Sequence, residues 1–196
     1  MTTEATYRLV ALLLSSIIFG ISGYFRFKAK QEGGTLNPGG GRLLVLLRLV
    51  ALAVFLPFFL YLINPEWVAW ATFPAPDWLR WFGAALTAAM APLIYWLFST
   101  IGSNISPSHT TRQGHQLIMS GPYRYIRHPL YTFGTIAWAG LGLLTALWWL
   151  LVGLVGVFVF IAYRTPKEEA YLLAEFGDAY RDYMARTGRY FPRFGR

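Results

Sequence analysis

Two stretches of this sequence carry side chains suited to chemistry. The first, His115-Gln116-Leu117-Ile118-Met119-Ser120-Gly121-Pro122-Tyr123-Arg124-Tyr125-Ile126-Arg127-His128-Pro129-Leu130-Tyr131, packs His, Arg and Tyr into 17 residues just ahead of a long apolar run. Cations beside aromatic planes suit a charged, planar ligand, and they suit interfacial anchors facing lipid headgroups equally well. The residues alone leave both readings open. The second stretch, Arg164-Thr165-Pro166-Lys167-Glu168-Glu169, sets an arginine shortly before two adjacent carboxylates. Zinc is disfavoured at either place, because the chain has no Cys and His109, His115 and His128 lack the usual ligand spacing. The missing Cys also removes disulfide scaffolds and cysteine nucleophiles.

The elements that must position these groups follow from local pattern. Thr165 as an N-cap, Pro166 at the first helical position and Glu168 at the third form a capping-box signature, which predicts a helix starting there. At 100° per residue, Leu172, Leu173, Phe176, Tyr180, Tyr183 and Met184 share one face, while Lys167, Tyr171, Glu175, Asp178, Arg181 and Asp182 lie away from it. Glu169 falls near the centre of the apolar stripe, where an unpaired carboxylate is costly, so it calls for a cationic partner. Glu168 lies at the stripe's edge, where the capping box would account for it, and Arg164 would serve equally as an interfacial anchor.

Hydrophobic residues make up 56% of the 196, and charged residues only 13%, against about 25% charged in an ordinary soluble domain. Seventeen uncharged residues separate Arg8 from Arg26, and another seventeen separate Arg48 from Glu66, each close to a bilayer span. Arg48, about a turn inside the second helix, either snorkels to the headgroups or faces a polar cavity. A third helix should end near Ile101. The 35 uncharged residues from Pro129 to Tyr163 read as a tight helical hairpin turning between Gly140 and Trp149, short of two full spans. The N-terminus lacks a signal-peptide pattern, so the first run reads as a retained anchor. The glycines from Gly33 to Gly41 form a linker and not a phosphate loop, lacking the strand and helix such a loop needs.

Of the 17 basic residues, 14 follow the first helix, follow the third or lie from Arg164 onward, and none lies between Asn64 and Asp77. The net charge of +8 is therefore a membrane-surface signal and not a nucleic-acid footprint, and the positive-inside rule turns the Asn64 to Asp77 loop outward. Trp67, Trp70, Trp78 and Trp81 crowd that outer end as an interfacial belt. The expected fold is all-α: a multi-pass integral membrane bundle of about five transmembrane helices, a single domain over residues 1–196, with a C-terminal amphipathic helix at the cytoplasmic surface.

At His115-x-Leu117-Ile118, at Gly121 to Tyr131, and at Arg164, Glu168-Glu169, Leu172, Phe176-Gly177, Tyr180, Tyr183, Arg189 and Pro192, the sequence resembles the integral-membrane methyltransferases of the isoprenylcysteine carboxyl methyltransferase family and the related phospholipid N-methyltransferases. The resemblance implies an enzyme using S-adenosylmethionine, with residues 102–196 as its cofactor-binding and catalytic portion. It places His115, Gln116, Leu117, Ile118, Tyr123, His128, Pro129, Leu130 and Tyr131 at the cofactor. Glu168 carries over as a cofactor contact, Arg164 as a substrate-side residue, and Glu169 as a neighbour or support. Face geometry favours Glu169 as the buried acid, so the two readings differ over which carboxylate meets the cofactor.

A sulfonium methyl donor needs an in-line nucleophile and an anionic or aromatic surround, but no metal. A carboxylate acceptor needs only orientation, which Arg164 supplies with its planar fork. An amine acceptor must first lose a proton, and Glu168 or His128 is then the candidate base. The expected partners are a lipidic or prenylated substrate and membrane lipids. A phospholipid-amine N-methyltransferase is the first alternative, followed by an NADPH-dependent membrane reductase and a non-catalytic lipid-binding membrane protein.

Overall fold

A computed structural model of the chain describes residues 3–31, 42–102 and 117–193. Among these residues are six α-helices: α1 (Thr3–Gln31), α2 (Arg42–Ile63), α3 (Asp77–Ile101), α4 (Pro129–Leu144), α5 (Trp148–Phe176) and α6 (Asp178–Arg186). Short 3-10 turns at Pro65–Ala71 and Gly121–Arg124 join them, and no strand occurs among the described residues. Helices α1, α3 and α5 are long and apolar enough to cross a bilayer, whereas α2 has a shorter apolar part and α4 runs for 16 residues. At 1.5 Å per residue α4 is about 24 Å long, short of the roughly 30 Å hydrocarbon core. The polytopic, all-α membrane bundle is thus the architecture observed. The surface agrees with it: Leu12, Leu13 and Ile17 of α1 and Val152, Val155 and Val159 of α5 are exposed, an apolar jacket that only lipid satisfies.

The helix ends sort into two layers. At one end Arg80 opens α3 and binds three other elements: Nη1 donates to Glu4 Oε2 of α1 at 2.7 Å, Nη2 to the Tyr61 hydroxyl of α2 at 2.9 Å, and Nε to the Leu144 carbonyl of α4 at 2.8 Å. Arg8 donates to the Leu62 and Ile63 carbonyls that close α2. These two cations, the exceptions to the basic pattern at this end, are absorbed by an acid and by orphan carbonyls. The exposed Trp67, Trp70, Trp78 and Trp81 lie here, and the Trp148 indole donates to the Trp70 carbonyl. Opposite them lie the ends of α1, α3 and α5 and the start of α4. Arg48 is exposed on α2, in keeping with snorkelling and not with a buried polar cavity.

Close helix approach fixes the middle of the bundle. A Cβ on Gly83 of α3 would stand 2.5 Å from the Gly140 carbonyl oxygen of α4, so only glycine permits this crossing. Thr87 ties the same pair by donating to the Gly83 carbonyl at 2.9 Å and the Ala137 carbonyl at 3.1 Å.

The α4–α5 turn falls at Thr145 to Leu147, inside the range read from sequence. The helix start at Thr165 requires correction. Helix α5 runs without a break from Trp148 to Phe176, with Pro166 inside it. The Thr165 hydroxyl donates back to the Ile161 carbonyl at 2.8 Å and does not cap a new helix. A neighbouring carbonyl is thereby satisfied beside the hydrogen bond that Pro166 cannot make, a common accommodation of proline in membrane helices. With 29 residues, α5 is about 43 Å long and projects beyond the bilayer from about Arg164 onward.

Candidate active site at the basic end of the bundle

Helix α5 stops where Gly177 takes φ +55°, a left-handed conformation open to glycine. After α6 the chain returns as a strap against the segment that leads into α4. Arg127 N–H donates to the Gly188 carbonyl at 2.9 Å, His128 N–H to the Arg189 carbonyl at 3.0 Å, and Gly188 N–H to the Tyr125 carbonyl at 3.3 Å. Any side chain at Gly188 would collide with the Phe191 carbonyl oxygen, so this tight return demands glycine.

Glu169 is the keystone beneath the strap. Only 3% exposed, it accepts from Arg127 Nε at 2.8 Å through Oε1 and from Arg189 Nη2 at 2.5 Å through Oε2. His128 Nε2 lies 3.4 Å from Oε1. Burial alone would raise this carboxyl; the contact with His128 and the Arg189 and Arg127 hydrogen bonds override it and hold the group down at about 2. The apolar stripe's demand for a cationic partner is answered twice over. Both Glu169 oxygens are thus engaged by protein partners.

Glu168 faces a different neighbourhood. It is half-buried, and the Tyr131 hydroxyl donates to its Oε2 at 3.0 Å, its single hydrogen bond among the described residues. The His128 ring stacks on Tyr131 with centroids 5.4 Å apart and planes 7° from parallel. Burial and the Glu168 carboxylate raise the Tyr131 hydroxyl, and the Arg164 charge opposes them. Burial raises the Tyr123 hydroxyl, and the neighbouring Tyr183 and the Glu168 carboxylate push it the same way, which places Tyr123 in the same polar cluster. Tyr183 in turn donates to the Tyr123 carbonyl at 2.7 Å.

Of the residues expected at the cofactor, Tyr123, His128, Tyr131 and Glu168 converge here, with Arg164, expected on the substrate side, one turn before Glu168 on α5. Pro129 is buried as the first residue of α4, while Leu117 and Ile118 are half-buried on the irregular approach and Leu130 is exposed. His115 and Gln116 lie outside the described residues. The Arg127 and Arg189 anchors of Glu169 stood within the motifs without a role, and Tyr190 was missed. Its ring lies 6.0 Å from that of His128, and nothing in local pattern marks it.

The donor set fits S-adenosylmethionine. His128 Nε2 is buried without an aligned hydrogen bond among the described residues, and Glu168 retains acceptor capacity towards a ribose hydroxyl, ammonium or sulfonium. Stacked aromatic planes stand beside them.

Comparison with known proteins follows the same lines. Residues 78–179, more than half of the chain, match the family model described as phospholipid methyltransferase. A protein-S-isoprenylcysteine O-methyltransferase of Dictyostelium discoideum is 29% identical over 128 residues, covering 60% of this chain and 52% of that protein. The enzyme of the same name from Schizosaccharomyces pombe is 40% identical over 76 residues, covering 37% and 31%. The nickel-cobalt-cadmium resistance protein NccN of Alcaligenes xylosoxydans xylosoxydans is 33% identical over 82 residues, covering 42% and 38%. The chain thus spans about half, or less, of the curated relatives it matches. In fold it is similar to the solved eukaryotic intramembrane Ras methyltransferase, an isoprenylcysteine carboxyl methyltransferase, with a TM-score of 0.55 at 24% identity over 74% of this chain and 51% of that one.

Proposed function

Because the chain belongs to the phospholipid methyltransferase family, we propose that it is an S-adenosylmethionine-dependent membrane methyltransferase that esterifies the carboxylate of a prenylated or otherwise lipidic acceptor. One observation carries this reading. At the basic end of a membrane bundle, Glu168 meets only the Tyr131 hydroxyl among the described residues, beside Arg164, while the adjoining Glu169 is fully engaged in holding the site together. The names of the Dictyostelium and Schizosaccharomyces relatives supply the prenylated cysteine as acceptor class.

When bound, S-adenosylmethionine supplies a methyl group activated by its sulfonium. Glu168, Tyr131, Tyr123 and His128 would hold it, with Leu117 and Ile118 on the approach to them. Arg164 stands where α5 leaves the bilayer and orients the acceptor carboxylate with its planar fork. An ionised carboxylate is already a nucleophile, so no residue need remove a proton. The basic end faces the cytoplasm by the positive-inside rule, so cofactor enters from water and acceptor from the bilayer.

The family model itself favours a second reading, N-methylation of a phospholipid amine, in which Glu168 or His128 takes the ammonium proton before transfer. Calorimetry on purified protein in nanodiscs tests the reading common to both. Saturable binding of S-adenosylmethionine and no binding of NADPH is the expected outcome; the reverse result makes the protein a reductase.

A further inference from the structure

The seam between α4 and α5 is closed at the basic end by a residue that neither helix supplies. Tyr190, delivered by the strap, sets its ring 5.3 Å from Phe158 of α5 and 6.0 Å from His128 at the start of α4. Its hydroxyl donates to Thr165 Oγ1 at 2.6 Å, and its carbonyl accepts from the Thr132 hydroxyl at 2.8 Å. Phe158 and Thr165 stand seven residues apart, two turns along one face of α5. One half-buried ring is thus pinned to both helices, with Arg164 beside its hydroxyl contact. Val155, Val159 and Tyr163 along this stretch of α5 are exposed, as is Phe191 of the strap.

We propose that Tyr190 is a specificity-determining residue, an aromatic wall with Phe158 against which the first isoprene units of the acceptor chain pack. This rests on the proposed function, since it assigns the ligand of that same site. A chain whose carboxylate reaches Arg164 leaves the site along α5, past the Phe158–Tyr190 pair. The ring is fixed by its own hydrogen bonds, so the wall discriminates by shape. Apolar pockets distinguish chains at roughly 10- to 200-fold per methylene, and removing a wall forfeits part of that.

The test uses the full chain in nanodiscs. Tyr190→Ala and Phe158→Ala should reduce by about tenfold the KM preference for a prenylcysteine over a cysteine carrying a straight alkyl chain of equal carbon number, while Tyr190→Phe, which keeps the ring, retains it. Calorimetric affinity for S-adenosylhomocysteine should be unchanged in all three. In parallel, a prenylcysteine carrying a diazirine in its first isoprene unit should label Phe158 or Tyr190 of the wild type, competed by unlabelled prenylcysteine. Competed labelling elsewhere, or an equal loss of affinity for branched and straight chains, overturns the wall and leaves the proposed function standing. No competed labelling, together with turnover of a phospholipid amine, overturns the prenyl assignment and with it the wall's ligand. Should Tyr190→Ala not fold, Phe158→Ala and the labelling pattern decide.

Discussion

The Tyr131 hydroxyl donates to Glu168 Oε2 at 3.0 Å across the seam between α4 and α5, while the next carboxylate along the chain, Glu169, is bound to Arg127 and Arg189 of two other segments. Adjacent residues on a helix diverge by about 100°, so one acid faces α4 and the other the Arg127 and Arg189 segments.

Substituting each acid should therefore fail differently. Glu168→Gln is expected to weaken S-adenosylmethionine binding by roughly tenfold or more, the worth of a charge-assisted hydrogen bond, with thermal stability in detergent close to wild type. Glu169→Gln strands two arginines and should cost about 3 kcal/mol of stability. Calorimetry and thermal unfolding on the same preparations separate the two. Equal effects on both measurements would merge the roles.

The pH dependence of stability follows from the Glu169 carboxyl, held at about 2 in the fold against an ordinary value of 4.5. A depressed folded pKa contributes stability that is complete above the unfolded value and is lost as pH falls through the folded one. The difference in unfolding temperature between wild type and Glu169→Gln should stay constant from pH 8 down to about 5, then shrink as the pH falls from about 4.5 towards 2. A difference that changes between pH 6 and 8 would implicate another group.

Arg164 is expected to serve the acceptor. Lysine keeps the charge but not the fork, so Arg164→Lys should raise the acceptor's KM or lower kcat while leaving cofactor affinity nearly unchanged. Loss of S-adenosylmethionine binding with normal acceptor kinetics would move Arg164 to the cofactor side.

Much of this architecture is legible in the sequence because a bilayer imposes length and polarity on each helix in turn. The charge-free runs mark the spans, and α3 ends at Ile101, where Gly102 takes φ +55°. The capping box at Thr165 misleads because it is a local signal, overridden once the Thr165 hydroxyl bonds back along a continuing helix. The Glu4–Arg80 pair escapes notice because 76 residues separate its members. That Glu169 needs a cation is readable from the stripe; that Arg127 and Arg189 answer it is not, since only the strap brings them together. Tyr190 is invisible for the same reason.

The orientation is directly measurable, since the chain has no Cys of its own. In sealed inside-out and right-side-out vesicles, a Cys at the exposed Pro74 should react with an impermeant maleimide only from the outer side, and one at Glu175 only from the cytoplasmic side. Reversed labelling would place the site outside the cell.

The central claim is carboxylate methylation, and the chemistry of the product tests it most directly. Purified protein in nanodiscs should transfer tritiated methyl from S-adenosylmethionine to a prenylated cysteine with a free carboxylate, and the label should leave as volatile methanol on treatment with base, as a methyl ester requires. Label that appears instead in phosphatidylethanolamine and resists base would contradict the account, because an N–CH₃ bond does not hydrolyse under those conditions.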